Sequence, residues 1–319
     1  MPPPDTIHIT DRIQIPDSIN SLINSILLAN RIEFGYEKAE EHHVDLSWLL
    51  VIVVLAGIAI IAGLLISIIK HFLSTSKKKG ETIAVNATEE NATVYDSWLS
   101  MYNPYYATLS PELKSRFIYR VIQFIQSKKF SFHSVEPDEQ AVVLISGAAI
   151  QISFGLKNFL LDHYPVINVI KKEYVLKADN DTYYGHVSRN GIYVSWKHFQ
   201  EGYEDYSDSV NVGLHEMAHA LSFDAYLGNE DIHDRKFKTR LQNFVKDGVP
   251  VFRALKSTSS HVLDDYASTN FDEFWAVSVE TFFENTESFR QNLPELYQEM
   301  CETLNQDPLS PSKIIDSHI

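Results

Sequence analysis

Val210-Asn211-Val212-Gly213-Leu214-His215-Glu216-Met217-Ala218-His219-Ala220-Leu221 contains no proline and has good helical character. Residues four apart share one helix face. His215 and His219 therefore point the same way, and Glu216 projects beside them. Two imidazoles at this spacing can meet one Zn²⁺, with Glu216 directed at a water on it. Two unpaired histidines in so apolar a helix would be costly to bury. Random placement gives roughly 0.04 matches to H-E-x-x-H in a chain of this composition. The segment thus points to metal-assisted hydrolysis, the chemistry this arrangement serves in metallopeptidases.

A catalytic zinc needs a third protein ligand and a position left for water. Ala225 stands where a third histidine would complete one familiar pattern. Asp224, Glu230, Asp231 and His233 follow closely, but they read as solvated residues where the helix ends near Gly228-Asn229. A stronger source is the stretch from Tyr266 to Glu284. Thr269 or Asn270 caps a helix there, and Glu273 and Glu280 fall on one face two turns apart. Phe274, Trp275, Val279, Phe282 and Phe283 make that helix a buried one, and a buried carboxylate needs a cation or hydrogen-bond donors. Glu273 reads as a ligand or as a capping-box residue three after Asn270. Glu280 reads as a ligand or as the partner that orients a ligand histidine. Spacing alone leaves that choice open. His163, His186, His198 and His261 lack ligand spacing and read as solvated or hydrogen-bonded.

Upstream, Ser110-Pro111-Glu112 starts a helix, with Ser as cap, Pro in the first position, and Leu113, Phe117, Val121 and Phe124 at helical spacing. Gln140 to Leu161 reads as a second, more apolar helix. Val166 to Leu176 is β-rich. Tyr183 to Ser188 and Ile192 to Trp196 flank Arg189-Asn190-Gly191 as a hairpin, its Asn-Gly marking the turn. The strand Ile192 to Trp196 is the expected edge for an extended peptide. From about Val210 the chain is mostly helical. Helices, a small sheet, then helices give an α+β domain.

Leu46 to Ile69 is an uncharged run of 24 residues. As a helix it is about 36 Å long, enough for a hydrocarbon core of roughly 30 Å. It begins too late and runs too long for a signal peptide. Lys70, Lys77, Lys78 and Lys79 follow it, whereas Glu37, Glu40, Glu41 and Asp45 precede it, so the C-terminal bulk is expected on the cytoplasmic side. Ile19, Leu22, Ile23, Ile26 and Leu27 recur at helical spacing in the outer segment. The expected divisions are an extracytoplasmic segment 1–45, a single transmembrane helix 46–70, a linker 71–104, the metallopeptidase domain 105–305 and a tail 306–319. A net charge of −15 argues against nucleic acid as a partner. The single cysteine, Cys301, excludes an internal disulfide and a thiolate zinc site.

The H-E-x-A-H helix followed by Tyr266-Ala-x-Thr-Asn-x-x-Glu273-Phe resembles the zinc peptidases of the Mlc titration factor A type. The same Tyr and Glu spacing is similar to the catalytic domain of the anthrax lethal-factor toxin. The likeness runs from about Leu109 to Phe283 and includes Tyr164-Pro165, Gly191 to Trp196 and Asp247-Gly248-Val249-Pro250. Ser222-Phe223-Asp224 departs from the Leu-Asp usual after the motif. The resemblance implies a zincin-like fold. It also implies Glu273, seven residues after Tyr266, as the third zinc ligand beside His215 and His219. Glu216 is then the general base, and Tyr266 the donor to the developing oxyanion. A peptide or protein is the implied substrate. Because such proteins are also described as binders of a transcriptional repressor, a tethered module that sequesters a regulatory protein is the alternative.

Overall fold

In the computed structural model, residues 81–83, 87–176, 181–206, 208–227, 232–256 and 262–311 are described. All lie in one compact unit that begins at Lys79. The expected membrane span 46–70 and the outer segment 1–45 lie outside the described residues. Among the described residues no helix is long and apolar enough to cross a membrane.

The unit is built around one helix. Strand β1 (Glu81–Ile83) leads to helices α1 (Ala92–Tyr102), α2 (Pro104–Ala107) and α3 (Pro111–Ser127), strand β2 (Lys129–His133) and helix α4 (Glu139–Ser153). Ser110 caps α3 by accepting from the Leu113 N–H, with Pro111 in the first turn, as its sequence requires. Helix α4 is apolar on every side and is buried on every side, the outcome expected when no polar stripe exists. It packs against α1 and α3 and against the helix that carries the histidine pair.

Helix α4 stops at Ser153, not at Leu161 as its apolar run suggested. Tertiary contacts end it. Arg120 of α3, itself buried, donates to the carbonyls of Ser153 and Phe154 at 3.2 and 2.9 Å. Asn305 donates to Gly155 O at 2.8 Å, and Gln306 to the carbonyls of Gln151 and Ile152 at 2.9 and 3.1 Å. These side chains satisfy the acceptors that every helix C-terminus leaves open. A Cβ on Gly155 would lie 2.3 Å from the carbonyl oxygens of Leu304 and Asn305, so only glycine allows this approach. Gln306, placed in the tail by sequence, is therefore buried. Part of the expected linker is also in the core: α1 buries Tyr95 and Leu99, and the Tyr95 hydroxyl donates to Glu139 at 2.8 Å.

The sheet has the order β1-β2-β3-β7-β6, where β3 is Val166–Ile170, β6 Gly185–Ser188 and β7 Gly191–Ser195. The pairs β2/β3 and β3/β7 are parallel, and β1/β2 and β6/β7 antiparallel. Strands β4 (Tyr174–Val175) and β5 (Thr182–Tyr183) form a separate small ribbon. Register aligns Phe130, Ile167, Ile192 and Val187 across the sheet, and Phe132, Val169, Val194 and Gly185 beside them. Alternation sends both rows to one face, toward the helices. Ser131, Asn168, Tyr193 and His186 form a polar row on the other face.

The hairpin exists, but Arg189-Asn190 is its turn, because Ser188 pairs with Gly191. Gly191 opens β7 at φ +127°, and a Cβ there would meet Val166 O at 2.3 Å. Strand β7 lies inside the sheet between β3 and β6, so the edge is β6 and not the Ile192–Trp196 strand. The remaining helices are α5 (Trp196–Glu204), α6 (Val212–Leu227), α7 (Ile232–Leu255), α8 (Phe271–Glu284), α9 (Thr286–Asn292) and α10 (Pro294–Leu304). Helix α6 lies against β6, β7, α4 and α8.

Candidate metal centre

Helix α6 carries His215 and His219 one turn apart. Their Nε2 atoms lie 3.1 Å from each other. Helix α8 brings Glu273 between them: its Oε2 is 3.0 Å from His215 Nε2 and 3.3 Å from His219 Nε2. The three residues form the group of potential ligands whose atoms all fall within 4.8 Å of one another among the described residues. Tetrahedral zinc with bonds of about 2.0–2.1 Å holds its ligand atoms about 3.3 Å apart. The observed triangle is close to that spacing, and two imidazoles with one carboxylate suit zinc chemically.

The choice between the two glutamates follows from which ring nitrogen each one faces. Glu280 Oε1 sits 2.6 Å from His215 Nδ1, on the ring edge away from the triangle. An ionised carboxylate can only accept, so Nδ1 donates to Glu280, and Nε2 is the nitrogen that faces Glu273 and would turn a lone pair to a bound ion. Glu273 is not a capping-box side chain. The cap is Asn270, whose side chain accepts from the N–H groups of Asp272 and Glu273 at 2.9 and 3.0 Å. This cap starts α8 one residue before Phe271 and thereby aims Glu273 at the histidines. Trp275 donates from Nε1 to Ala218 O at 2.9 Å, a buried tie between the two helices.

Electrostatics agree with a cation site. Burial pushes the Glu273 carboxyl up, but hydrogen bonds from His215 and His219 outweigh it and hold Glu273 well below the usual range. Burial opposes a charge on His215, yet the neighbouring Glu280 carboxylate drives its pKa well above the ordinary value.

Glu216 is 5% exposed, and burial raises its pKa to about 7, with the two histidines pulling against that rise. Its Oε2 has no hydrogen-bond partner among the described residues. The edge strand β6 closes over it at Gly185, where a Cβ would lie 2.5 Å from the Glu216 Cγ and 2.6 Å from its Oε1. Sequence offered no signal for this role of Gly185. The Gly185→Ala variant should fold and keep its metal, since only a flexible side chain must move. With Glu216 as the general base that the family resemblance implies, peptide turnover should fall by about 10²-fold, because misplacing a reacting group by about 1 Å has such a cost. Steady-state kinetics beside metal analysis checks this, and unchanged turnover would remove Gly185 from the account.

Tyr266 sits in a 3₁₀ turn, Asp265–Ser268, whose cap Asp264 accepts from the Tyr266 N–H at 2.8 Å. Its ring centroid is 5.9 Å from that of His215. Burial, followed by the charges of Glu273 and Glu216, pushes its hydroxyl pKa up, so the group stays a proton donor. Phe223 stacks on His219 with ring planes 13° apart.

The remaining candidates lie elsewhere. Asp224 is on α6, not in a loop, and accepts from the His163 N–H at 2.9 Å while pairing with its Nδ1. His186 contacts the Tyr174 hydroxyl at 2.6 Å and stacks on Tyr193. His198 lies between Glu173 and Glu201. Glu230, Asp231 and His261 fall outside the described residues.

The mixed α+β fold and the two-histidine, one-glutamate cluster fit a metallopeptidase domain. Residues 75–304 match the family described as glucose-regulated metallo-peptidase M90, and the chain belongs to that family. A protein of Synechocystis sp. (strain ATCC 27184 / PCC 6803 / Kazusa), called uncharacterized protein slr2042, is 28% identical over 223 residues, 65% of this chain and 81% of the relative. Mlc titration factor A of Escherichia fergusonii is 25% identical over 224 residues, 65% of this chain and 84% of the relative. Membership makes the chain a metallopeptidase-type protein, and the family implies a metal ion and peptide or protein substrates.

Proposed function

We propose that the chain is a single-pass, membrane-anchored zinc metallopeptidase whose catalytic domain faces the cytoplasm. One observation carries the catalytic reading: His215, His219 and Glu273 converge at ligand spacing while Glu216 stands beside them and Glu280 holds His215 from behind. His215 Nε2, His219 Nε2 and a Glu273 oxygen would hold the ion. Bound zinc would supply a Lewis acid and lower the pKa of a water toward about 7. Glu216 then accepts the proton of the attacking water and passes it to the leaving amine. The Tyr266 hydroxyl donates to the oxygen on which charge develops, a contribution of about 10²-fold in rate. The outer edge of β6, beside Glu216, offers backbone groups to an extended substrate.

The test is direct. The full chain purified without chelator should carry about one zinc and cleave members of a peptide library, and His219→Ala should carry none. Wild-type protein without stoichiometric zinc would overturn the reading. The anchor is tested separately. A reporter fused after Lys79 should behave as cytoplasmic and one fused before Asp45 as external. Digestion of the C-terminal domain by protease added to intact cells would reverse that orientation.

A second reading has one observation in its favour. The Escherichia fergusonii relative is named as a titration factor for Mlc. On that reading the chain is a tethered module that holds a regulatory protein and turns over little.

A further inference from the structure

The three candidate ligands come from two helices, His215 and His219 from α6 and Glu273 from α8. The ligand triangle therefore depends on how far α6 is advanced along α8. Asn211, fully buried just before α6, is gripped by α8 from two sides. Its backbone N–H donates to Glu280 Oε2 at 2.7 Å, and its side-chain Nδ2 donates to Glu284 Oε1 at 2.8 Å. Glu280 and Glu284 are one turn apart on α8, so the two carboxyls hold one residue between them. Asn211 also starts α6: its Oδ1 accepts from Leu214 N at 3.0 Å, and its carbonyl accepts from His215 N at 2.9 Å. The same Glu280 reaches His215 Nδ1 with its other oxygen. A continuous path of hydrogen bonds thus runs from Glu284 through Asn211 and Glu280 to His215.

We infer that Asn211 and Glu284 are positioning residues for the metal centre, a clamp that sets the register of α6 on α8 and so the separation of the three ligands. The inference rests on the zinc-site reading above. Glu284 is the informative member. It touches none of the candidate ligands, and its Oε2 is buried without a hydrogen-bond partner among the described residues. Burial raises its pKa to about 9, partly opposed by the Asn211 hydrogen bond. A buried polar atom without a partner costs stability, so Glu284 Oε2 contributes nothing to packing while Oε1 holds Asn211, which fits a role in aligning the ligands.

The two roles separate in zinc affinity. In Glu284→Leu the buried Asn211 Nδ2 loses its carboxyl acceptor and keeps only Gly202 O at 3.4 Å, so the full chain, stripped of metal, should melt somewhat below wild type. Its zinc affinity, measured by competition with a chromophoric chelator at a temperature where the metal-free chain is folded, should fall about tenfold or more, the size of outer-partner losses at metal sites. Glu284→Gln keeps an acceptor toward Asn211 and should bind zinc within about threefold of wild type. Should the Leu variant fail to fold, Asn211→Ser retains a good helix cap but lacks the Nδ2 donor, and the same tenfold loss is expected. Unchanged zinc affinity in Glu284→Leu or in Asn211→Ser overturns the clamp. Equal losses in Glu284→Leu and Glu284→Gln also overturn it, because charge and not the hydrogen bond would then matter. Failure of the wild type to bind zinc is a different result and removes the metal reading itself.

Discussion

Glu216→Gln should keep its zinc and lose hydrolysis by roughly 10²-fold or more. The substitution preserves size. Glu216 is not part of the ligand triangle, so the triangle is unaltered. Burial raises the carboxyl pKa to about 7, so an uncharged amide of the same size should cost the fold little. What disappears is the one proton acceptor beside the proposed water. Zinc per chain by elemental analysis, together with cleavage of a substrate from the peptide library, measures both halves. Cleavage within tenfold of wild type would exclude Glu216 as the base. The same variant separates the two functional readings in cells. An enzyme loses its cellular effect in Glu216→Gln, whereas a sequestering module keeps it.

Glu273→Ala should abolish stoichiometric zinc, while Glu280→Ala should weaken zinc only about 10- to 100-fold. Glu273 faces both Nε2 atoms, and its loss leaves two ligands where three are needed. Glu280 faces only the far nitrogen of His215, so its loss frees the ring to turn but removes no ligand. Glu280→Ala also strips the buried Asn211 N–H of its acceptor, which should lower the stability of the metal-free chain by about 1–3 kcal/mol. Chelator competition and thermal melts measure both effects. The opposite ranking of zinc affinities would show that the two carboxylates have exchanged roles.

The parts of this site readable from sequence are those encoded by local spacing. Two histidines four apart need only a helix to meet, and Asn270 followed by Asp272-Glu273 announces its own helix start. Ser110-Pro111 did the same for α3. The choice between Glu273 and Glu280 was not local. Both lie on one face of α8, and only the approach of α6 decides which imidazole nitrogen each one meets. Asn211 carried a usable signal, an N-cap residue ahead of an apolar helix, but its second duty toward Glu280 and Glu284 is a contact between distant segments. The end of α4 was misread for a related reason. Its apolar run continues past Ser153, and the residues that stop it lie more than thirty positions away on one side and about 150 on the other. The Asn190-Gly191 pair signal makes the turn look three residues long, Arg189 to Gly191, whereas pairing of Ser188 with Gly191 puts the glycine in the strand.

The docking of Asn305 and Gln306 onto the end of α4 has a consequence for how the chain is made. Synthesis delivers α4 and the histidine helix long before residues 305–306 exist. Until those residues arrive, the carbonyls of Gln151, Ile152 and Gly155 lack their side-chain donors, and the most apolar helix of the unit lacks its terminal lock. Contacts spanning about 150 residues carry a large loop-closure cost and form late. The nascent chain therefore passes through a period in which an apolar helix is complete but not enclosed, the condition that favours aggregation and chaperone engagement. Premature stops just before Asn305 should therefore yield protein that is degraded rather than a shortened folded chain.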